Sequence, residues 1–179
     1  MTIDNHPDTR HPRVLVTGSR EWWDAGPVRL AIAAASRMLA AGDQTLTIVH
    51  GAARGLDSMA ASVARHSGHR VEAYPAQWDV HGRSAGPKRN DHMISLGADL
   101  VLAFPMHRRG DATGSRGTWH CAEAARRAGL PVLVVWDGAL WADDDDQAAR
   151  DMLARQASRV GGFLGARGQL GLLDAALPF

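Results

Sequence analysis

The sequence predicts an α/β fold, in which a doubly wound parallel sheet of at least five strands carries helices on both faces. Three observations support this prediction. Five short apolar runs recur along the chain, segments of helical length separate them, and a glycine ends most of these segments. Because parallel neighbouring strands need long crossover connections, usually helices, this alternation is typical of one open parallel sheet.

The five apolar runs are the predicted strands. Several of them are continuously apolar rather than alternating, which is typical of strands that are buried on both faces of a parallel sheet. In chain order the runs are RVLVTG (13–18), TLTIVHG (45–51), VEAYP (71–75), DLVLAFP (99–105) and PVLVVWDG (131–138).

The segments between the strands carry signals of helix boundaries. Pro27 and Pro87 each follow a glycine and suit the first position of a helix, where the missing N–H is harmless. In the first helix an apolar stripe should face the core: Val28, Ile32, Ala35 and Leu39. Four segments end in a glycine, which suits the left-handed conformation that often follows a helix: Gly42, Gly68, Gly97 and Gly129.

The predicted domain covers residues 13–138, after a disordered lead-in at 1–12. Residues 139–179 are predicted to form a C-terminal helix and an apolar tail, packed on the domain or at a dimer interface. The helix is expected over 142–159, with its run of four Asp in the first turn, where the helix dipole favours negative charge. This run does not predict a metal site, because adjacent side chains on a helix point away from each other.

Composition excludes several classes of protein. The chain of 179 residues has 20 Lys+Arg against 19 Asp+Glu, a balance that disfavours a general nucleic-acid binder. A single cysteine, Cys121, permits no internal disulfide and fits a cytoplasmic location. No apolar run approaches the roughly 20 residues of a membrane span, and the N-terminus lacks the apolar core of a signal peptide.

Ligands of open parallel sheets bind beyond the carboxyl ends of the strands, so the segment after each predicted strand is informative. After the first strand, Gly18 permits a turn, Ser19 offers a hydroxyl and Arg20 offers a guanidinium for phosphate. We expect one of the adjacent Trp22 and Trp23 to pack inward while the other covers the loop.

After the second strand, Gly51 and Gly55 permit close approach of a ligand to the backbone. Asp57 is predicted either to cap the next helix or to hold a ribose hydroxyl or a partner Arg. His50 ends the strand, and we include it among the candidate ligand-binding residues.

The third strand leads to PAQWDVHGRSAGPKRNDHM (75–93), which holds Trp78 and the cations Lys88 and Arg89. With Asn90 these cations fall in the first turn of a helix that begins at Pro87. Cations at a helix N-terminus oppose its dipole, so a nearby anion is indicated. Trp78, Arg89 and Asn90 are therefore candidate ligand-binding residues.

The loop after the fourth strand is rich in glycine and ends in a second predicted helix start. Ser115, Arg116, Gly117 and Thr118 are candidate phosphate-binding residues, and Thr118 is a predicted N-cap. His107, His120 and Cys121 do not match the spacing of a zinc site. The sequence therefore predicts a nucleotide-sized pocket, with no metal and no cofactor.

Four segments together carry a resemblance to a known family: VTGSREWWD, VHGAARGLDSMA, HGRSAGPKRNDHM and SRGTWHCAEAARRAGLPVLVV. In order and spacing they resemble the YspA-type branch of the SLOG superfamily, over about residues 13–136. That superfamily includes the Lonely guy phosphoribohydrolases and the DNA-processing protein DprA. The resemblance implies a Rossmann-like sheet and a pocket for a nucleotide or nucleotide derivative.

The resemblance to the Lonely guy enzymes holds for binding residues more than for catalytic ones. Arg89 matches their Arg before the helix that follows the third strand, and Gly117 and Thr118 match the end of their P-G-G-x-G-T motif. Their catalytic Glu has no counterpart, because Trp119, His120 and Cys121 occupy its place and Glu123 lies one turn further.

Three functions follow as alternatives. The first is a protein that binds a nucleotide or nucleotide-derived signal. The second is an N-glycosidase of nucleoside 5′-phosphates, in which Asp57 or Asp91 replaces the missing Glu beside Arg89. The third is DNA binding of the DprA kind, which the charge balance disfavours. The apolar tail and the dimeric Lonely guy relatives also predict a homodimer.

Overall fold

The computed structural model describes residues 10–41, 44–107, 114–160, 165 and 168–172. The described residues form a seven-stranded sheet in the order β3-β2-β1-β4-β5-β6-β7. Strands β1 to β5 are parallel, whereas β6 and β7 extend the edge in antiparallel fashion. The strands are β1 (Arg13–Gly18), β2 (Thr47–His50), β3 (Arg70–Ala73), β4 (Leu100–Phe104), β5 (Val132–Trp136), β6 (Ala139–Trp141) and β7 (Leu170–Gly171). The α/β prediction is confirmed.

Helices cover both faces of the sheet. They are α1 (Ala25–Leu39), α2 (Leu56–His66), α3 (Trp78–His81), α4 (Ala85–Ser95), α5 (Arg116–Arg127) and α6 (Gln147–Arg159). One core cluster joins the sheet to α1, α2 and α6, and a second joins it to α4 and α5. Within β1, Val14 and Val16 contribute to the first cluster and Leu15 to the second, as the alternation of side chains along a strand requires.

The order of the strands reverses between β1 and β4. From β1 the chain moves outward through β2 to β3, then returns to β4 on the other side of β1. Val14 is consequently paired with Ile48 of β2 and with Leu100 of β4. In doubly wound sheets the loops at such a point diverge and leave a crevice.

Most predicted helix signals agree with the structure. Gly68, Gly97 and Gly129 follow α2, α4 and α5 with φ angles of 75°, 78° and 76°. Gly42 lies outside the described residues. The predicted stripe of α1 faces the core, with Val28, Ile32 and Ala35 buried and Leu39 partly buried: these are the residues that pack on the first cluster.

The predicted start of α6 is wrong. The helix begins at Gln147, after all four residues of the Asp run rather than within it. Asp146 accepts hydrogen bonds from Ala149 N at 3.0 Å and from Val132 N at 2.8 Å. Its carboxylate thus caps the helix and ties it to the start of β5, which places the preceding acids in the connecting turn.

Two further boundaries differ from the prediction. Helices α1 and α4 begin two residues before Pro27 and Pro87, so each proline is the third helical residue. Asp24 caps α1, since its carboxylate accepts from Gly26 N at 2.8 Å. The predicted loop between Pro75 and Pro87 contains α3 and a 3₁₀ turn.

The two ends of the described chain are attached to the sheet. Arg10 pairs with Asp99 at 2.7 Å, and Pro12 O accepts from Thr47 N, so residues 10–12 of the predicted lead-in contact the domain. Leu172 N donates to Gly138 O at 2.9 Å beside β6. None of the helices in the described ranges is both long and apolar enough to cross a membrane.

Candidate functional site

A cavity of about 620 Å³ lies where β1 and β4 end, at the reversal of strand order. This volume is within the range of about 300–1,000 Å³ that small-molecule sites occupy. Residues 17–21 line the β1 side, and Met106, His107 and residues 114–118 line the β4 side. Asp57 of α2 and Trp78, Arg89 and Asn90 of the α3–α4 segment complete the walls.

Gly18 and Gly55 hold the β1 side of the cavity in shape. A Cβ atom on Gly18 would lie 2.9 Å from Leu56 Cβ, so the glycine lets α2 approach the end of β1. Gly55 has a φ of 72° and packs against the backbone of Ser19 and Arg20. Leu56 N then donates to Ser19 O at 3.1 Å, which fixes the loop against the start of α2.

Arg20 and Trp78 form one rim of the cavity. The guanidinium of Arg20 lies 5.4 Å from the centroid of the Trp78 ring, a cation–π contact. Trp78 is 47% exposed although it is large and apolar. A Cβ atom on Gly86 would approach the Trp78 ring to 3.4 Å, so α4 supports the ring from behind.

Asp57 and Arg89 form a buried pair at the floor of the cavity. Asp57 Oδ2 lies 4.0 Å from Arg89 Nη1, and the two side chains are 8% and 13% exposed. Burial raises the pKa of Asp57, against the opposing effects of the Ala53 N–H and of Arg89. Burial likewise lowers the pKa of Arg89, which Asp57 partly offsets.

The prediction that Asp57 is the N-cap of α2 is wrong. Gly55 occupies the N-cap position and Asp57 is the second residue of α2. Its carboxylate instead accepts from Ala53 N at 3.1 Å, which closes the loop between β2 and α2. The alternative prediction of a partner Arg agrees with the position of Arg89.

Arg89 anchors α4 to the ends of two strands. Its guanidinium donates to Gly51 O, to Tyr74 O at 3.3 Å and to Asn90 Oδ1 at 2.8 Å. A Cβ atom on Gly51 would overlap this guanidinium, which explains the glycine there. Because α4 begins at Ala85, Arg89 and Asn90 lie beyond the first turn, and the prediction that placed them there is wrong.

His50 lies beneath the site and does not line the cavity. Ala52 N donates to His50 Nδ1 at 3.1 Å, so the ring proton is on Nε2. Among the described residues this buried Nε2 has no hydrogen-bond partner. Burial lowers the pKa of His50, which keeps the imidazole neutral.

The start of α5 forms the wall opposite Arg20. Ser115 has a positive φ of 56°, and its Oγ accepts from Met106 N at 2.8 Å and from His107 N at 3.3 Å. Arg116 and Gly117 open the helix, where the first backbone N–H groups have no partner within the helix. Thr118 is the third helical residue and is buried, so its predicted role as N-cap is wrong.

Four predicted site residues do not line the cavity: His50, Gly51, Gly55 and Asp91. Gly51 and Gly55 shape the site from outside, as described above. Asp91 is exposed, because two residues turn a helix by roughly 200° and carry its side chain away from that of Arg89. Glu123, on the second turn of α5, is also absent from the lining.

Met106, His107 and His120 line the cavity although the sequence did not assign them to it. Met106 is the second residue after β4, so its position near a strand end could have predicted that it lines the cavity. His120 occupies the first turns of α5. Within the described ranges, His, Cys, Asp and Glu side chains form no cluster of three or more that could hold a metal.

Cys121 lies between the cavity floor and the core. Its side chain is fully buried and hydrogen-bonded to that of Thr17. Burial raises the pKa of the thiol to about 11.

Comparison with known proteins confirms the family resemblance that the sequence carries. Residues 12–81, which span β1 to α3, match the YspA, cpYpsA-related SLOG family. The Gene 61 protein of Mycobacterium phage D29 is 43% identical over 126 residues, which are 68% of this chain and 94% of that protein. With this level of identity over nearly the whole relative, the chain belongs to the YspA, cpYpsA-related SLOG family.

Proposed function

We propose that this protein binds a nucleotide or a nucleotide-derived small molecule in the cavity between β1 and β4. The observation that carries the proposal is that Arg20 and the start of α5 face one space of about 620 Å³ at the reversal of strand order. Membership of a SLOG family supports a nucleotide-related ligand in general terms.

The phosphate of the ligand binds at the start of α5. The first backbone N–H groups of α5, which have no partner within the helix, and the helix dipole favour an anion there, and Arg116 adds a full positive charge. Arg20 approaches from the opposite wall and is exposed. Arg89, whose Nε and Nη1 donate to protein oxygen atoms, contributes charge from the floor of the cavity.

Ligand-induced stabilisation tests this proposal. A ligand at 100 times its Kd adds about 2.7 kcal/mol to the free energy of unfolding, or about 5–10 °C in Tm for a chain of this size. The panel contains ribose 5-phosphate, mononucleotides, dinucleotides, cyclic nucleotides and ADP-ribose. The proposal fails if none of them raises Tm at millimolar concentration.

A pair of variants on one helix locates the phosphate. Arg116→Ala removes a cation at the start of α5, whereas Arg127→Ala removes an exposed cation at its end. We expect Arg116→Ala to weaken binding by about tenfold or more, because a charge-assisted hydrogen bond is worth about 1.5–3 kcal/mol. Arg127→Ala should bind as the wild type does. If both variants bind the ligand with equal affinity, the phosphate does not bind at the start of α5.

A second candidate function is hydrolysis of the N-glycosidic bond of a nucleoside 5′-phosphate. Asp57 favours it, because this buried carboxylate with a raised pKa lines the cavity, whereas Asp91 lies outside it. An ionised carboxylate stabilises the oxocarbenium-like sugar that forms as the bond breaks. Arg89, at 4.0 Å, favours the ionised form.

Release of free base distinguishes hydrolysis from binding alone. AMP, GMP, CMP and UMP are incubated overnight with concentrated protein and separated by chromatography. Hydrolysis predicts base release that disappears in Asp57→Asn while binding remains. Base that accumulates equally with wild type and variant would exclude Asp57, and no release at all would leave binding as the function.

A further inference from the structure

We propose that a second cavity, beside the first, binds the nucleobase of the same ligand. This apolar cavity of about 350 Å³ lies where β4 and β5 end. Its lining includes three tryptophans and four further apolar residues: Trp22, Trp23, Trp136, Pro27, Pro105, Met106 and Val135. The inference rests on the proposed function, which it extends by assigning the base of the nucleotide to a separate subsite.

The two cavities share a wall, so one molecule can reach both. Met106 lines each of them. The segment after β1 lines the polar cavity with residues 17–21 and the apolar cavity with residues 22–24. The assignment requires that the ligand pass Met106 from the polar cavity to the apolar one.

Contacts within the protein hold the indole ring of Trp22 in place. Trp22 packs edge-on against Phe104 with ring centroids 5.4 Å apart, and its Nε1 donates to Asp24 O at 2.6 Å. Flat nucleobases stack on aromatic rings, and this stacking depends little on which base is present.

Trp23 is 78% exposed at the mouth of the apolar cavity. Its position is not explained by core packing, because its neighbour Trp22 already packs on Phe104. A stacked base would cover its ring and would remove this apolar surface from water.

Charge fixes the direction of the ligand. Among the described residues, the lining of the apolar cavity includes two acids, Asp24 and Asp137, and no Lys or Arg. The polar cavity includes Arg20, Arg89 and Arg116. A phosphate is thus repelled from the apolar cavity, whereas the amino groups of a base can donate to its carboxylates.

Paired titrations test this assignment. Ribose 5-phosphate carries the sugar and phosphate alone, so the ratio of its Kd to that of AMP, GMP, CMP or UMP measures the contribution of the base. Isothermal titration of the wild type should give a ratio of at least about tenfold for one or more bases, within the range of about 5- to 150-fold that stacking provides.

Trp23→Ala should reduce this ratio at least fivefold and leave the Kd of ribose 5-phosphate unchanged. Because Trp23 is 78% exposed, this variant keeps the core intact, which circular dichroism verifies. Val80→Ala, which removes another exposed apolar side chain (70% exposed), is the matched control and should keep the wild-type ratio.

Three outcomes overturn the assignment. If Trp78→Ala abolishes the ratio while Trp23→Ala preserves it, the base stacks in the polar cavity instead. If the wild type binds ribose 5-phosphate and the base adds nothing, the subsite does not exist although the proposed function stands. If the wild type binds neither these compounds nor the dinucleotides, cyclic nucleotides and ADP-ribose of the larger panel, the proposed function fails and this inference fails with it.

Discussion

Gly55 shows how one residue determines the shape of the site. Its φ of 72° lies in a region that L side chains rarely adopt. A Cβ atom there would also lie 2.7 Å from Ser19 O and would overlap the backbone of Arg20. The loop between β2 and α2 therefore touches the loop after β1 through this glycine.

We predict that Gly55→Ala lowers the free energy of unfolding by at least about 2 kcal/mol, since backbone strain of about 1–2 kcal/mol adds to the overlap with Ser19 and Arg20. Gly68→Ala is the control, because Gly68 has a similar φ of 75° and open space around it. Urea denaturation measures both. Equal losses would mean that the contact with the β1 loop relaxes without cost.

Asp57 makes stability depend on pH. Its folded pKa is raised above the ordinary value of 3.8, mainly by burial. Between 3.8 and the folded pKa the native state binds more protons than the unfolded state. The stability that Asp57 contributes is therefore complete below pH 3.8 and is lost as pH rises through the folded pKa.

We predict that the wild type loses stability relative to Asp57→Asn as pH rises from below 4 toward neutrality. Asparagine keeps an oxygen that can accept from Ala53 N, so the comparison isolates the charge. Urea denaturation at a series of pH values gives the difference between the two free energies of unfolding. A difference that moves in favour of the wild type would show that attraction to Arg89 outweighs burial.

The residues of the site could be predicted from sequence where they follow a strand directly. Gly18 and Arg20 line the cavity for this reason. The contact between Asp57 and Arg89 joins separate helices, and only the packing of α2 against the sheet and of α4 across the strand ends determines it. The position of His50 was predicted wrongly because successive side chains along a strand point to opposite faces of the sheet. The register of the strand determines which face His50 occupies.

At the scale of elements, α4 is attached to the sheet through one side chain. Arg89 donates to Gly51 O after β2 and to Tyr74 O after β3. Both carbonyl groups end strands, where no further ladder bond is available to them. The helix that carries one wall of the cavity is thereby held to two strands.

We predict that Arg89→Lys destabilises the fold by at least about 2 kcal/mol. Arg89 donates to Asn90 Oδ1 from Nε and to the two carbonyl oxygens from Nη1, whereas lysine carries all its donors on one nitrogen, so buried acceptors lose their partners. Lys88→Ala, at the exposed neighbouring position, should change stability by less than about 0.5 kcal/mol. Urea denaturation of both variants provides the comparison, and similar small losses would contradict the anchoring role.

The elements that the sequence predicted are those with enough residues to show a pattern. Strands β1 to β5 appear as apolar runs, whereas β6 has three residues and β7 has two. Such short antiparallel strands carry no readable periodicity, and their pairing with β5 determines them. The start of α6 was misplaced because four consecutive acids offer four equivalent N-caps, and contact with Val132 N selects Asp146.

At the scale of the whole molecule, both core clusters share one sheet. Helices α1, α2 and α6 cover one face, and α4 and α5 cover the other. α6 also contacts α1 through Arg159, which donates to Arg37 O at 3.0 Å. The homodimer remains a prediction, since most of the apolar tail from which it was inferred lies outside the described residues.

Because Cys121 is buried, the rate at which a reagent labels its thiol reports how often the native structure opens. Thiolate is the reactive form, and with a pKa of about 11 only roughly one thiol in a thousand is ionised at pH 8. We predict that a disulfide reagent labels the native protein at least about 1,000-fold more slowly than the protein in urea. Stopped-flow absorbance measures both rates. Because the thiol is hydrogen-bonded to Thr17, which lines the cavity, a bound nucleotide should slow labelling of the native protein further. Rapid labelling of the native state would instead reveal that this part of the sheet opens on its own.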